Sequence, residues 1–336
     1  MDSLTHLVLG AAIGEAVLGK KIGRKAMLWG ALADTIPDFD VFASPCVSEA
    51  QQLLVHRGFT HSFLFIAIMS PLLGWLFSKW FKKADVSWKR WTLLFFLGMF
   101  THVLIDSFTS YGTGWFEPFS SYRVSFNTIF VADVFYTVPF LICVLIALIA
   151  KNGSPKRIRW NKAGLWISSL YLLFTFINKW HVHSTMEESF EKQDLKADEF
   201  VTTPTPLNNF LWMAYTRDDK GAWIGYYSIF DKSKDIQFKR VERNDSLLIP
   251  FEKDESVKIL KQFSKGHYVI TKEDTVVSFN DIRFGQTGGW DGTDESFPFS
   301  YELNKVTKNS TALNRGKFKT SMSEAFNSLV NRAKGQ

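Results

Sequence analysis

The sequence predicts an all-α polytopic membrane domain followed by a small α+β domain, built on an antiparallel sheet and lying outside the membrane. Three observations carry that expectation. Apolar residues crowd the first 180 of the 336 positions, whereas the chain turns charged and polar from Glu187 onward. Four runs, about 63–81, 91–109, 129–150 and 161–180, approach the ~20 apolar residues that cross a bilayer. Past residue 207, apolar and polar residues alternate at strand period. The expected organisation is a helical membrane domain over 1–186, a linker over 187–207 and a soluble domain over 208–336.

Before the four runs lies a pair of shorter apolar segments, about 4–19 (LTHLVLGAAIGEAVLG) and 24–37 (RKAMLWGALADTIP). Their Gly and Ala content suits close helix packing, so they are expected as a helical hairpin within the membrane domain. The opening MDSLTH lacks the basic stretch and cleavage site of a secretory signal, and the first helix is expected to be retained. Lys and Arg gather in KKIGRK (20–25), KWFKKADVSWKR (79–90) and KNGSPKRIRWNK (151–162). These are alternate connections in a six-helix arrangement, and the positive-inside rule places all three in the cytoplasm. The N-terminus, the 37–60 and 107–130 loops and everything after about 181 then face the exterior of the cytoplasmic membrane.

In the C-terminal part, EESFEKQDLKADEF (187–200) is an amphipathic charged stretch and TTPTPLNN a turn-rich linker. FLWMAYTR, GAWIGYYSIF, HYVITK and TVVSFND read as strands, with helices near 254–263 and 320–333. The Trp and Phe residues there are assigned to core packing. The two cysteines, Cys46 and Cys143, give no disulfide framework. The net charge of +6 is accounted for by the basic connections, so no nucleic-acid partner is expected.

The predicted topology has a chemical consequence. Of the seven histidines, His6, His56, His61, His102, His181 and His183 fall at or near the outer ends, as do Asp34, Asp38 and Asp40. DTIPDFD (34–40) supplies three carboxylates around Pro37, which is expected to end a helix. HRGFTHS (56–62) supplies two imidazoles, and His102-x-x-x-Asp106 places two donors on one helical face. Imidazole with carboxylate suits zinc or another divalent transition metal rather than calcium or magnesium. Taken alone, each motif is also explained as a cap, a turn or a structural pair. Their gathering on one membrane face is what points to a metal site, because ionisable groups buried in a bilayer are costly.

The segments SLTHLVLGAAIGEAVL, ALADTIPDFDVF, HRGFTHSF and GMFTHVLIDSFTSYG, in that order over about residues 1–180, resemble the YdjM-like membrane-bound metal-dependent hydrolase family. That family is distantly similar to the zinc-dependent phospholipase C superfamily. The resemblance implies a clustered site of one to three zinc ions, with manganese as the alternative. It maps the ligands onto His6, Asp38, His61, His102 and Asp106, with His183-x-x-x-Glu187 at the spacing of a further pair. His181 and His183 have the alternative of simply marking a headgroup-level boundary.

No GxSxG elbow is present and neither cysteine has a His partner, so a protein nucleophile is not indicated. A metal would activate water instead. Asp34, Asp40 and His56 are then candidates to ligate, to orient ligands or to act as general base. Arg57 and Arg123 are candidates to bind a phosphate. The function expected is a membrane-embedded, metal-dependent hydrolase of a phosphoester, such as a lipid headgroup, at the outer face. A metal or proton transporter is the rival, and a non-catalytic metal-stabilised scaffold is a third option. The cytoplasmic halves of the spans offer little beyond Glu15 as a proton or ion path.

Overall fold

The computed structural model describes residues 1–307, 310–315 and 322–336. The chain forms two compact units, one helical (1–45 and 55–176) and one bearing the sheets (46–54 and 177–336).

The helical unit starts with the expected hairpin. Helix α1 (Ser3–Ile22) is capped by Asp2, whose carboxylate accepts from the Thr5 amide at 3.0 Å, and it ends at Gly23 in a positive-φ conformation. Helix α2 (Lys25–Thr35) returns along it. The two backbones nearly touch: a Cβ on Gly14 would sit 2.0 Å from the Ala26 carbonyl oxygen, and one on Gly30 would sit 2.1 Å from that of Gly10. Only glycine permits this approach. Past Thr35 the chain tightens into a 3-10 stretch, Ile36–Cys46, beginning beside Pro37 as expected. A short helix α3 (Glu49–Val55) follows.

Helices α4 (Phe63–Trp80), α5 (Trp88–Asp106) and α6 (Val134–Ile149) correspond to the next three apolar runs. Ser62 caps α4 by accepting from the Phe65 amide, and Asp133 caps α6 by accepting from those of Phe135 and Tyr136. Helix α7 (Pro155–Lys192) carries the fourth run and continues well beyond it, its residues from Ile177 belonging to the second unit. Among the described helices α4 alone is long and apolar enough to cross a membrane by length and composition, and α6 is a shorter apolar helix of 16 residues. The apolar run on α5 is flanked by Lys89 and Arg90 and broken by His102 and Asp106.

Ile66, Phe77, Trp91, Leu94, Phe95, Met99 and Val103 form the buried centre of this unit. Its outside is also apolar: Leu72, Trp75, Leu93, Ile142, Leu145 and Leu170 are exposed on α4 to α7. Such a surface is unusual against water and ordinary against lipid.

The second unit holds two antiparallel four-stranded sheets where the sequence pattern led to one. The first has the order β1 (Glu199–Pro204), β2 (Leu211–Arg217), β3 (Gly221–Ser228), β4 (Phe238–Glu242). After helix α8 (Glu255–Phe263) comes the second, β5 (Tyr268–Glu273), β6 (Val276–Asp281), β7 (Ser300–Thr307), β8 (Ser310–Arg315). Helix α9 (Met322–Ala333) closes the chain; of its expected span near 320–333, residues 320 and 321 lie outside the described residues. The two sheets share buried Met213, Tyr215, Ile224, Val269 and Phe297, and Trp212 is wholly buried.

The 187–207 stretch differs from a linker. Residues to 192 prolong α7, and TTP of TTPTP belongs to β1, paired in register Thr203 to Met213 with β2. The β-branched Val201, Thr202 and Thr203 favour a strand, and Pro204 is tolerated because β1 is an edge strand and the residue ends it.

Candidate metal centre

Five elements of the helical unit bring the ligand-type residues to one end of it. His6 lies in the first turns of α1, Asp34 at the end of α2, Asp38 and Asp40 on the 3-10 stretch, His61 on the turn leading into α4, and His102 and Asp106 in the last turns of α5. His6, Asp34, His61, His102 and Asp106 are almost wholly buried, and Asp38 is partly exposed.

His61 Nε2, His102 Nε2, Asp38 Oδ1 and Asp106 Oδ2 face one another. The two nitrogens are 3.1 Å apart, Asp38 Oδ1 is 3.5 Å from each, and Asp106 Oδ2 is 3.4 Å from each. A tetrahedron with edges of about 3.4 Å has its centre about 2.1 Å from each corner, the bond length of zinc to imidazole or carboxylate.

The protons point away from this centre. His102 Nδ1 lies 3.3 Å from Asp34 Oδ2, so it carries the hydrogen and leaves Nε2 with a lone pair. His61 Nδ1 lies 3.1 Å from Thr60 Oγ1, whose own hydrogen is directed to Asp40 Oδ2 at 3.3 Å; this again leaves Nε2 bare. Asp106 Oδ2 and Asp34 Oδ1 are buried without a hydrogen-bond partner. With the ring nitrogens in these tautomers, two imidazole nitrogens and two carboxylate oxygens converge closely enough to hold a cation, and the donor set fits a divalent metal.

A second layer surrounds the four. Asp34 Oδ2 also receives His6 Nδ1 at 3.0 Å, and the His6 and His102 rings stack at 3.7 Å. His6 Nε2 is 3.2 Å from Asp106 Oδ1, the same oxygen that Arg57 Nη2 approaches to 3.2 Å and that the Met1 amine contacts. Asp106 thus turns one oxygen to cations of the protein and the other to the centre. Arg57 further donates to Thr109 Oγ1 at 2.8 Å and lies over the Tyr111 ring.

Asp40 holds the rim. It accepts from the Arg57 amide at 3.0 Å and pairs with His56 Nδ1 at 3.1 Å. Burial opposes its charge, but the His56 contact and the amide hold its carboxyl below the ordinary range. Arg123 donates to the His56 carbonyl at 2.9 Å and lies 3.6 Å from Glu117, whose carboxyl burial pushes up.

His183 and Glu187 belong to the sheet-bearing unit. His183 Nε2 is 3.6 Å from Glu187 Oε2, and its Nδ1 lies 3.3 Å from Thr202 Oγ1. They are absent from the three groups of metal-type donors found among the described residues, which are Asp38/His61/His102/Asp106, His6/Asp34/His102 and Asp38/Asp40/His56.

Thr60, Thr109, Tyr111 and the Met1 amine were not singled out from the sequence as site residues. The threonines that precede His6, His61 and His102 do different things. Thr5 bonds Asp2 and Thr137, Thr60 reaches His61, and Thr101 bonds back to the Leu97 carbonyl.

These features define a helical unit with a buried His/Asp metal-type cluster at one end of its helices. The family model described as YdjM inner membrane protein matches residues 1–182, and the chain belongs to that family. It is 33% identical over 185 residues to the uncharacterized protein YfhP of Bacillus subtilis, covering 52% of this chain and 51% of that one. It is 29% identical over 122 residues to the inner membrane protein YbcI of Escherichia coli, covering 36% of this chain and 69% of that one. The chain therefore spans about half the length of the Bacillus relative. No solved structure matches it.

Proposed function

We propose that the protein is a metal-dependent hydrolase of phosphoesters, a lipid headgroup among them, working at the outer face of the cytoplasmic membrane with several helices spanning the bilayer. The observation that carries this reading is the convergence of His61 Nε2 and His102 Nε2 with two carboxylate oxygens. Zinc is the ion proposed for Asp38, His61, His102 and Asp106, with manganese as the alternative.

When bound, such an ion supplies Lewis acidity and lowers the pKa of water toward neutrality. The chain's own residues do the rest. Asp34 fixes the tautomer and aim of His102, and Thr60 does the same for His61. The Asp40 and His56 pair, with His56 half-exposed at the rim, can move a proton at Nε2 while Asp40 orients the ring through Nδ1. Arg57, held by Asp106, Thr109 and Tyr111, and Arg123, braced on the His56 carbonyl, place cationic donors suited to a phosphate beside the cluster.

The transporter reading loses its one cytoplasmic-side candidate, because Glu15 is committed to Arg157 through both carboxylate oxygens. The test is protein purified in neutral detergent, with bound metal measured alongside hydrolysis of bis-p-nitrophenyl phosphate. Metal near one equivalent or more, with turnover abolished by chelation and restored by zinc or manganese, is the expected result. Gradient-coupled ion flux in vesicles without turnover of any phosphoester would replace the enzyme with a transporter.

A further inference from the structure

The end of the helical unit away from the His/Asp cluster carries a second, different site. Lys20 lies 14 residues along α1 from His6, which at helical rise is about 20 Å. There the end of α1, the start of α2, the turn from α4 to α5 and the Asn152–Gly153 turn enclose a cleft of about 1110 Å3.

Six lysines, Lys20, Lys21, Lys25, Lys79, Lys82 and Lys83, line it, and no carboxylate does. Among the described residues only Lys21 has an acidic partner, Asp85 at 3.1 Å. The floor is aromatic: Trp29, Phe81 and Trp91 pack on one another, Trp29 to Phe81 at 5.0 Å and Phe81 to Trp91 at 6.0 Å. Trp91 is fully buried and its indole Nε1 has no hydrogen-bond partner. Trp80 and Leu28 at the lip are largely exposed, continuing the apolar outer surface of α4.

A basic topology signal needs only charge in a connection. It does not need a cleft with an aromatic floor and an apolar lip, and that combination matches an anionic headgroup with an acyl chain attached. We propose that this cleft binds the phosphate headgroup of an anionic phospholipid, its lysines neutralising the charge while Trp80 and Leu28 meet the first acyl carbons. A free phosphate or a nucleic acid would use the lysines but leave the apolar lip uncovered. The site is independent of the metal cluster and of any hydrolysis there.

The test is native mass spectrometry of the full chain, released from neutral detergent in the presence of equimolar dioleoyl phosphatidylglycerol and dioleoyl phosphatidylcholine. Wild type should retain the anionic lipid about tenfold more. The variant K25Q/K82Q/K83Q, which changes only exposed side chains, should bring retention to parity while metal content stays at the wild-type level. K156Q/K162Q, basic positions outside the cleft, should keep the preference. Equal retention of both lipids by wild type, or a preference that survives K25Q/K82Q/K83Q, overturns the proposal. So does displacement of the lipid by millimolar inorganic phosphate or by a single-stranded oligonucleotide, either of which assigns the cleft to a soluble anion.

Discussion

Two of the places where the helical unit buries ionisable groups are built on opposite terms. Near the middle of α1, Glu15 meets Arg157 of α7 fork to fork: Arg157 Nε and Nη2 each donate to one carboxylate oxygen, and Nη1 donates to Asn152 Oδ1 at 2.8 Å. No donor or acceptor of the pair is wanting. At the other place, Asp34 and Asp106 each keep a buried oxygen without a donor, and two imidazole nitrogens confront each other. A buried charge that is fully paired is architecture; one left short of partners is made for something added later.

The contrast can be broken most forcefully at the cluster itself. H102A or D106A should lower bound metal by more than about tenfold and remove chelator-sensitive turnover, read by elemental analysis and a phosphoester assay. Retention of full metal by both variants would leave the cluster as a second structural network. E15A should act the other way. It strands a buried guanidinium and should cost about 3–5 kcal/mol in reversible unfolding, while the metal-to-protein ratio of the folded fraction stays unchanged. The paired replacement E15M/R157M should recover most of that loss, and a fall in metal content in either variant would erase the distinction.

Smaller effects sharpen it. D34N removes an orienting carboxylate rather than a ligand, and should weaken metal affinity about 10–100-fold in competition with a chelator, with the fold intact. An effect as large as that of H102A would promote Asp34 to a ligand. Least of all, D85N removes the charge of the exposed partner of Lys21 while keeping a residue suited to the positive φ there, and should leave the unfolding midpoint and the metal content unmoved.

Much of this was legible in the chain, for a physical reason that also marks the limit. His102 and Asp106 lie one helical turn apart, so their shared face follows from helical geometry alone. Pro37 and the serine before Phe63 mark a helix end and a helix start through local chemistry. The Gly-rich hairpin could be read because small residues announce close packing. Contacts that depend on three-dimensional closure were hidden. Arg157 is 142 residues from Glu15 and sat unremarked in a basic connection. Asp34 was known as a carboxylate near the site, but its hold on both His6 and His102 requires α1, α2 and α5 to meet. Strand β1 was missed because the prolines of TTPTP outweighed its β-branched residues, and an edge strand tolerates a terminal proline.

The seams that α2 makes with α1 and α5 give the glycines an unexpected chemical office. A methyl group on Gly10 would press to 2.5 Å from the Cβ of Asp34, and one on Gly98 would lie 2.9 Å from the Cβ of Ala33. Residues with no donor atom at all therefore set the bite of the donors around them. Drift at these positions would retune which ion the cluster prefers while every ligand stayed in place, and an inventory of histidines and aspartates alone would never register the change.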